Sequence, residues 1–249
     1  MNRLFQALVD DAGLFPPTAL PLPEALERHA SDRAAGSPVL THRFLCPAGR
    51  LDDLRAAPVR PGRIGLIMDT AEPPALDGLP VDLVEVRLPP DGVLPALPAG
   101  PAVFVEVAPE RLPVELPDGA GLKVRCGGLT AEAFPTAQAL GGFVTHCAER
   151  GIRFKATAGL HHAVRHFDPA LGVDRHGFLN LVLAVCEAVE GRDPVPVLTS
   201  TDVGGLVRLA QAVPDETAEQ ARRLLVSYGS CSTSAPVEDL IALGLVDKQ

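Results

Sequence analysis

Eight short runs rich in β-branched and aliphatic residues recur along this 249-residue chain, most of them ending in a polar or glycine-containing turn. They lie at 39–47, 63–69, 82–89, 102–109, 121–126, 153–159, 195–200 and 224–229. Amphipathic helical stretches follow the later ones, at 131–150, 177–189, 203–212 with 216–223, and 237–243. Strands that alternate with helices form a parallel sheet, and eight such units close into a (β/α)8 barrel of about this length. The expected fold is therefore an α/β TIM barrel, one domain over residues 1–249. Between the second and fifth runs the connections are dominated by proline: Pro73-Pro74, Pro89-Pro90, Pro95, Pro98, Pro113 and Pro117. Proline removes amide donors and disfavours helix at the residue before it, so the second, third and fourth helices are expected to be short or missing. Residues 1–38, with a helix at 22–29, read as an N-terminal extension. It would cap the barrel bottom or serve a subunit contact, which leaves a homo-oligomer open.

The formal charge of −9 and the lack of any arginine-rich run argue against a nucleic-acid partner. The longest apolar run, 178–189, holds Asn180 and Glu187 and is too short to span a bilayer, so no membrane partner is expected. The N-terminus turns acidic at Asp10-Asp11, too early for a secretory signal. Five scattered cysteines without a Cys-x-x-Cys pair fit free thiols in a reducing cytoplasm. A small molecule is the partner that remains.

Side chains alternate across a strand, so the apolar parity faces the helices and the other parity faces the barrel axis. On that rule Glu85, Arg87, Glu106, Lys123, Arg125, Lys155 and Thr157 point inward, with Asp69 ending the second run and Ser227 in the eighth. In the first run the pattern favours His42, Phe44 and Cys46 inward. Such charges are far from the Val, Ile and Leu layers that usually fill a barrel, and they gather toward the strand ends where barrel active sites are built.

Only three of the 22 lysines and arginines are lysines, and two of these, Lys123 and Lys155, are inward. A lysine amine can lose its proton and attack a carbonyl, whereas a guanidinium cannot. Burial beside Arg87, Arg125 and a second lysine is expected to lower the amine pKa. Lys155 and Lys123 are thus the candidate nucleophiles, and Glu106 is the candidate proton shuttle. Arg87 and Arg125 are candidate donors to a substrate carboxylate or phosphate.

The segment Lys155-Ala-Thr-Ala-Gly159 resembles the Lys-Thr-Ser-Thr-Gly segment of deoxyribose-phosphate aldolases. The resemblance covers five residues and implies a class I aldolase barrel in which Lys155 forms the imine, on the sixth strand as in those enzymes. Ala156 and Ala158 replace hydroxyl residues, and 195–200 lacks the second lysine that those enzymes carry on the seventh strand. Lys123, on the fifth run, is expected to stand in for it.

Loops supply the remaining candidates. His161, His162 and His166 follow the sixth run, and His161 is the one assigned to substrate binding. Ser200 and the residues after it, and Gly229 with Ser230, are candidate parts of a phosphate cradle after the seventh and eighth runs. Cys231 has no base identifiable beside it in sequence and reads as a passive thiol. The leading expectation is a cofactor-free Schiff-base lyase or aldolase acting on a small oxo-acid or sugar-phosphate-like substrate. One alternative is a lyase or isomerase in which Asp69, Glu85 and Glu106 hold Mg²⁺ or Mn²⁺. Another is a non-catalytic barrel whose charges are structural.

Overall fold

The computed structural model describes residues 3–112 and 116–248, so Pro113 of the proline-rich connections lies outside the described residues. Eight parallel strands close a barrel: β1 (Val9–Asp11), β2 (Leu40–Pro47), β3 (Ile64–Ile67), β4 (Val81–Arg87), β5 (Ala102–Val107), β6 (Gly121–Arg125), β7 (Phe154–Thr157) and β10 (Leu225–Ser230). Each strand pairs with the next in sequence, and β1 closes the ring by pairing with both β10 and β2. A two-stranded antiparallel hairpin, β8 (His166–Asp168) and β9 (Val173–Arg175), stands apart from the barrel.

The N-terminal segment is not an extension. It contributes β1 and the first crossover helix, α1 (Leu22–Ala35), which a left-handed Gly36 terminates. Two acidic residues in a three-residue strand gave no strand pattern in the sequence. The run at 195–200, conversely, is no strand. It forms the short helix α5 (Val195–Thr199), because Pro196 suits the first helical turn and could not donate to a ladder. Counted from β1, Lys123 is on the sixth barrel strand and Lys155 on the seventh.

The remaining helices are α2 (Leu51–Ala56), α3 (Ala137–Arg150), α4 (Phe178–Val189), α6 (Val203–Ala212), α7 (Asp215–Leu224) and α8 (Ser234–Ala242). No α-helix is found between β3 and β6 among the described residues, as the proline spacing predicts. The opposite wall is thick: α4, apolar on nearly every face, packs against α3, α5, α6 and α7. One core cluster joins these helices to β5, β6, β7 and β10, and another joins α1 and α2 to β2, β3 and β4. No described helix is long and apolar enough to cross a membrane.

In β2 the parity is opposite to that expected. Phe44 and Cys46 face α1 and α2 in the apolar cluster, while Arg43 and Leu45 face the lumen. Both parities of this strand carry apolar residues, so the pattern alone could not choose. A bulge opposite β1 also leaves His42 with a positive φ of 54°. Gly65 makes the inward turn of Arg43 feasible, since a Cβ there would sit 2.5 Å from Leu45 Cδ2 and 3.0 Å from Arg43 Cδ.

Candidate active site

A continuous series of alternating charges fills the barrel. Near the N-terminal ends of the strands, Asp82 accepts from Arg43 Nε at 2.8 Å and from Arg63 Nη2 at 2.7 Å. Arg43 Nη1 also donates to Asp10 Oδ1 at 2.8 Å, and Thr41 Oγ1 donates to the same oxygen at 2.6 Å. Asp10 Oδ2 accepts from Lys155 and, at 2.7 Å, from Ser227 Oγ, which itself accepts from Lys155 Nζ at 2.8 Å. Lys155 Nζ lies 3.3 Å from Glu85 Oε1, without hydrogen-bond geometry. Glu85 Oε2 is 2.5 Å from Lys123 Nζ, and that amine is 2.9 Å from Glu106 Oε2. Arg87 Nε and Arg125 Nε end the series, each 3.7 Å from Glu106 Oε1.

In β4 to β7 the charges nearest the cavity come from the same alternation that sends the apolar residues outward. In β6, Leu122 and Val124 enter the core while Lys123 and Arg125 face in; in β7, Phe154 and Ala156 do so while Lys155 and Thr157 face in. Burying charges costs several kcal/mol per ion, of order, unless partners compensate, and here each buried charge has at least one opposite neighbour. Burial would raise the Asp10 pKa, but Lys155 and Arg43 outweigh it and hold the carboxyl well below its ordinary value. Burial would lower Lys123, but Glu85 and Glu106 outweigh that and hold the amine above its ordinary value. The expected neutral amine is therefore not the resting state of Lys123. The flanking carboxylates, not the arginines, set its charge.

Above these charges, at the C-terminal ends of the strands, opens a cavity of about 480 Å³. Glu85, Glu106, Lys123, Arg87, Arg125, Thr157 and His161 give it a polar side. Phe15, Pro16, Pro17, Leu45, Ile67 and Met68 give it an apolar one. Gly229 leaves it open: a Cβ there would meet Leu45 Cδ1 at 3.0 Å and Thr157 Oγ1 at 3.5 Å. The turn after β7 carries two successive left-handed residues, Ala158 (φ 59°) and Gly159 (φ 74°), before His161 reaches the wall.

The structure thus brings together Lys123, Glu106, Arg87, Arg125, Thr157, His161 and Gly229 of the sequence candidates. Lys155 points inward as expected but does not line the cavity; its side chain is 1% exposed against 7% for Lys123. Asp69 does not enter the barrel. It is exposed beyond β3 and accepts from the Gly49 amide at 2.9 Å. The carboxylate triad proposed for Mg²⁺ or Mn²⁺ is therefore not assembled, and no group of three or more His, Cys, Asp or Glu is placed to hold a metal among the described residues. Ser200 is at the end of α5 in the outer layer, where its carbonyl accepts from Asn180 Nδ2 at 2.8 Å. The loop after it caps α6, where Asp202 accepts from the Gly205 amide at 2.9 Å. Ser230 is buried, and its hydroxyl donates to the Ser232 carbonyl at 2.6 Å.

Three residues escaped the sequence reading. Asp10 was hidden in the segment taken for an extension. Arg43 lies on the parity opposite to His42, Phe44 and Cys46, which the pattern favours inward. Cys231 lines the cavity with His161 Nδ1 3.7 Å from its sulfur, a base that chain order could not place there because 70 residues separate them. His162 turns instead toward Asp239, 3.6 Å away.

Asp11, next to Asp10, points the other way. It accepts from Arg28, from His29 Nδ1 at 3.0 Å and from the Gly13 amide at 2.9 Å, tying α1 to the barrel.

Comparison of the chain with protein-family models, with curated proteins and with solved structures finds no match, so the aldolase resemblance rests on residues 155–159 alone.

Proposed function

We propose that this barrel is a lyase of aldolase type, acting on a small oxo-acid or sugar-phosphate-like substrate, with Lys123 as the amine that meets it. The observation that carries this reading is the position of Lys123 Nζ on the cavity wall between Glu85 and Glu106. An ammonium between two carboxylates can pass its proton to one of them as a substrate displaces water. The neutral amine then adds to the carbonyl, and the resulting iminium draws electrons from the adjacent carbon–carbon bond. Glu106 is within reach to return the proton to the carbinolamine oxygen and to the substrate carbon. Arg87 and Arg125, at the rim of the same cavity, supply donors for a carboxylate or phosphate. The resemblance to deoxyribose-phosphate aldolases favours an amine on the sixth strand, which is Lys123 once β1 is counted, although the similar five residues lie on the seventh. All five cysteines are free, which supports a reducing compartment such as the cytoplasm.

Borohydride reduction in the presence of pyruvate, glyoxylate and phosphorylated aldehydes tests the proposal. Peptide mapping is expected to find the added mass on Lys123. A compound that turns over without leaving reduced adduct on either barrel lysine ends the Schiff-base reading.

A second reading is favoured by the raised pKa of Lys123. In it the amine stays an ammonium and stabilises an enolate oxygen electrostatically while a carboxylate removes the proton. Turnover without trapping, lost in Lys123→Met, is its signature.

A further inference from the structure

Cys231 is the first residue beyond β10, and its sulfur faces His161 across the cavity wall at 3.7 Å. The backbone here is held firmly: Arg28, anchored on Asp11, donates from Nη1 to the Cys231 carbonyl at 2.8 Å. Thr18, just after the two prolines of the cavity wall, also favours the thiolate. The other four cysteines are shut in apolar surroundings, and burial pushes Cys46, Cys126, Cys147 and Cys186 up to about 12. Burial acts on Cys231 too, but His161 and Thr18 outweigh it and bring the thiol down to about 7. The fold therefore contains four thiols shut away from any base and one, 6% exposed, that is paired with a base and lines the cavity.

We propose that Cys231 and His161 form a second reactive pair in the cavity, a nucleophilic thiol and its proton acceptor, with a small aldehyde as ligand. His161 takes the proton as the S–H bond breaks, and the sulfur pair forms a bond to the aldehyde carbon. The C=O π pair moves onto oxygen, which receives the proton back from His161. The product is a thiohemiacetal; nothing is oxidised or reduced, and reversal of the same steps releases the aldehyde. If the lyase function holds, the pair deepens it by retaining the aldehyde half of the substrate, a role that rests on that reading. The reactivity of the thiol does not depend on it.

The test uses iodoacetamide on the native protein at pH 7, with peptide mapping, and glycolaldehyde as the probe ligand. A thiol about half ionised, against a few per cent for an ordinary one, gains roughly threefold in rate once its lower nucleophilicity is allowed for. Cys231 is expected to react about that much faster than the same cysteine in urea-unfolded protein. Glycolaldehyde is expected to slow the alkylation. Glycolaldehyde labelled with carbon-13 should show a sulfur-bound carbon that Cys231→Ser abolishes. His161→Gln should return the rate to or below that of the unfolded thiol.

Native Cys231 reacting no faster than the unfolded thiol overturns the proposal, and that comparison stands even if a variant misfolds. So does an unchanged rate in His161→Gln, or the absence of the sulfur-bound carbon. Borohydride reduction of the same samples keeps the two readings apart. With the carbon-13 signal read before reduction, a lysine adduct without a thiol adduct overturns this inference only, and a thiol adduct without a lysine adduct, for a compound that turns over, overturns only the Schiff-base function.

Discussion

Asp10 and Lys155, 145 residues apart in sequence, meet across β10 at the seam where the barrel closes, with the Ser227 hydroxyl bonded to both. Neither side chain has appreciable contact with solvent. The pair joins the first strand to the seventh, and through Glu85 it extends to the amine on the cavity wall. Closure of the fold and the charge state of the candidate site thus depend on one set of ion pairs.

Removing the carboxylate should be costly. Asp10→Asn leaves Lys155 with Ser227 and with Glu85, 3.3 Å away, as its one anionic neighbour, and takes one of two anions from Arg43. Breaking one side of a buried pair costs about 3–5 kcal/mol. Urea unfolding should report a loss of that size. The double variant Asp10→Asn/Lys155→Met should lose less than the two single variants added together, because it leaves no orphaned ammonium.

Stability should also fall in acid, and the direction of the carboxylate shifts fixes where. Asp10, Asp82 and Glu106 are held below their ordinary values, against burial, by Lys155, Arg43, Lys123 and their neighbours. Groups depressed in the folded state contribute stability that is complete above their unfolded pKa, near 4, and is lost as pH falls through the folded value. Lys123 is shifted upward, so its contribution persists below its unfolded value, near 10, and is lost only in stronger alkali. Denaturation midpoints measured from pH 2 to 8 should be level above about 5 and drop below about 4. The drop should be shallower in Asp10→Asn.

Much of this site was legible from alternation alone. In β4, β5 and β6 outward valines and leucines, and in β7 Phe154 and Ala156, are so regular that Glu85, Glu106, Lys123 and Lys155 could only face in. The thin wall was legible from proline. What failed did so for local reasons. Val9-Asp10-Asp11 is too short and too acidic to read as a strand, and Asp10 is satisfied by partners far along the chain. Three of residues 195–199 are β-branched, yet Pro196 and the packing of Val195 and Leu198 against Gly141 favour a helix. The pairing of Cys231 with His161 is a property of neighbouring strand ends and has no local signal.

Gly65 is predicted to be a packing requirement of the charge series. A methyl group there would come 2.5 Å from Leu45 Cδ2, 3.0 Å from Arg43 Cδ and 3.1 Å from Leu83 Cδ1. All three side chains are held in the lumen, so Gly65→Ala should cost about 1–3 kcal/mol by overpacking. Gly142, which has nothing within 4 Å of the added methyl and sits within α3, is the control. Gly142→Ala should leave stability equal or higher, since alanine favours helix. Thermal unfolding of the two variants side by side checks both.

The two barrel lysines should separate in a trapping experiment, and the separation distinguishes a reacting amine from a positioning one. Lys123→Met removes the amine on the cavity wall and should abolish both turnover and borohydride-trapped adduct. Lys155→Met leaves Asp10 bonded to Arg43, Thr41 and Ser227, so the barrel should still close. It also leaves Glu85 with Lys123 as its one cationic neighbour, where before it had two. Loss of the positive charge at Glu85 strengthens its hold on the Lys123 ammonium, and the neutral amine becomes harder to form. Trapped adduct should therefore remain on Lys123 in Lys155→Met, but its yield should rise at higher pH than in the wild type. An adduct that persists in Lys123→Met and vanishes in Lys155→Met would assign the reaction to the buried amine and reverse the roles of the two residues.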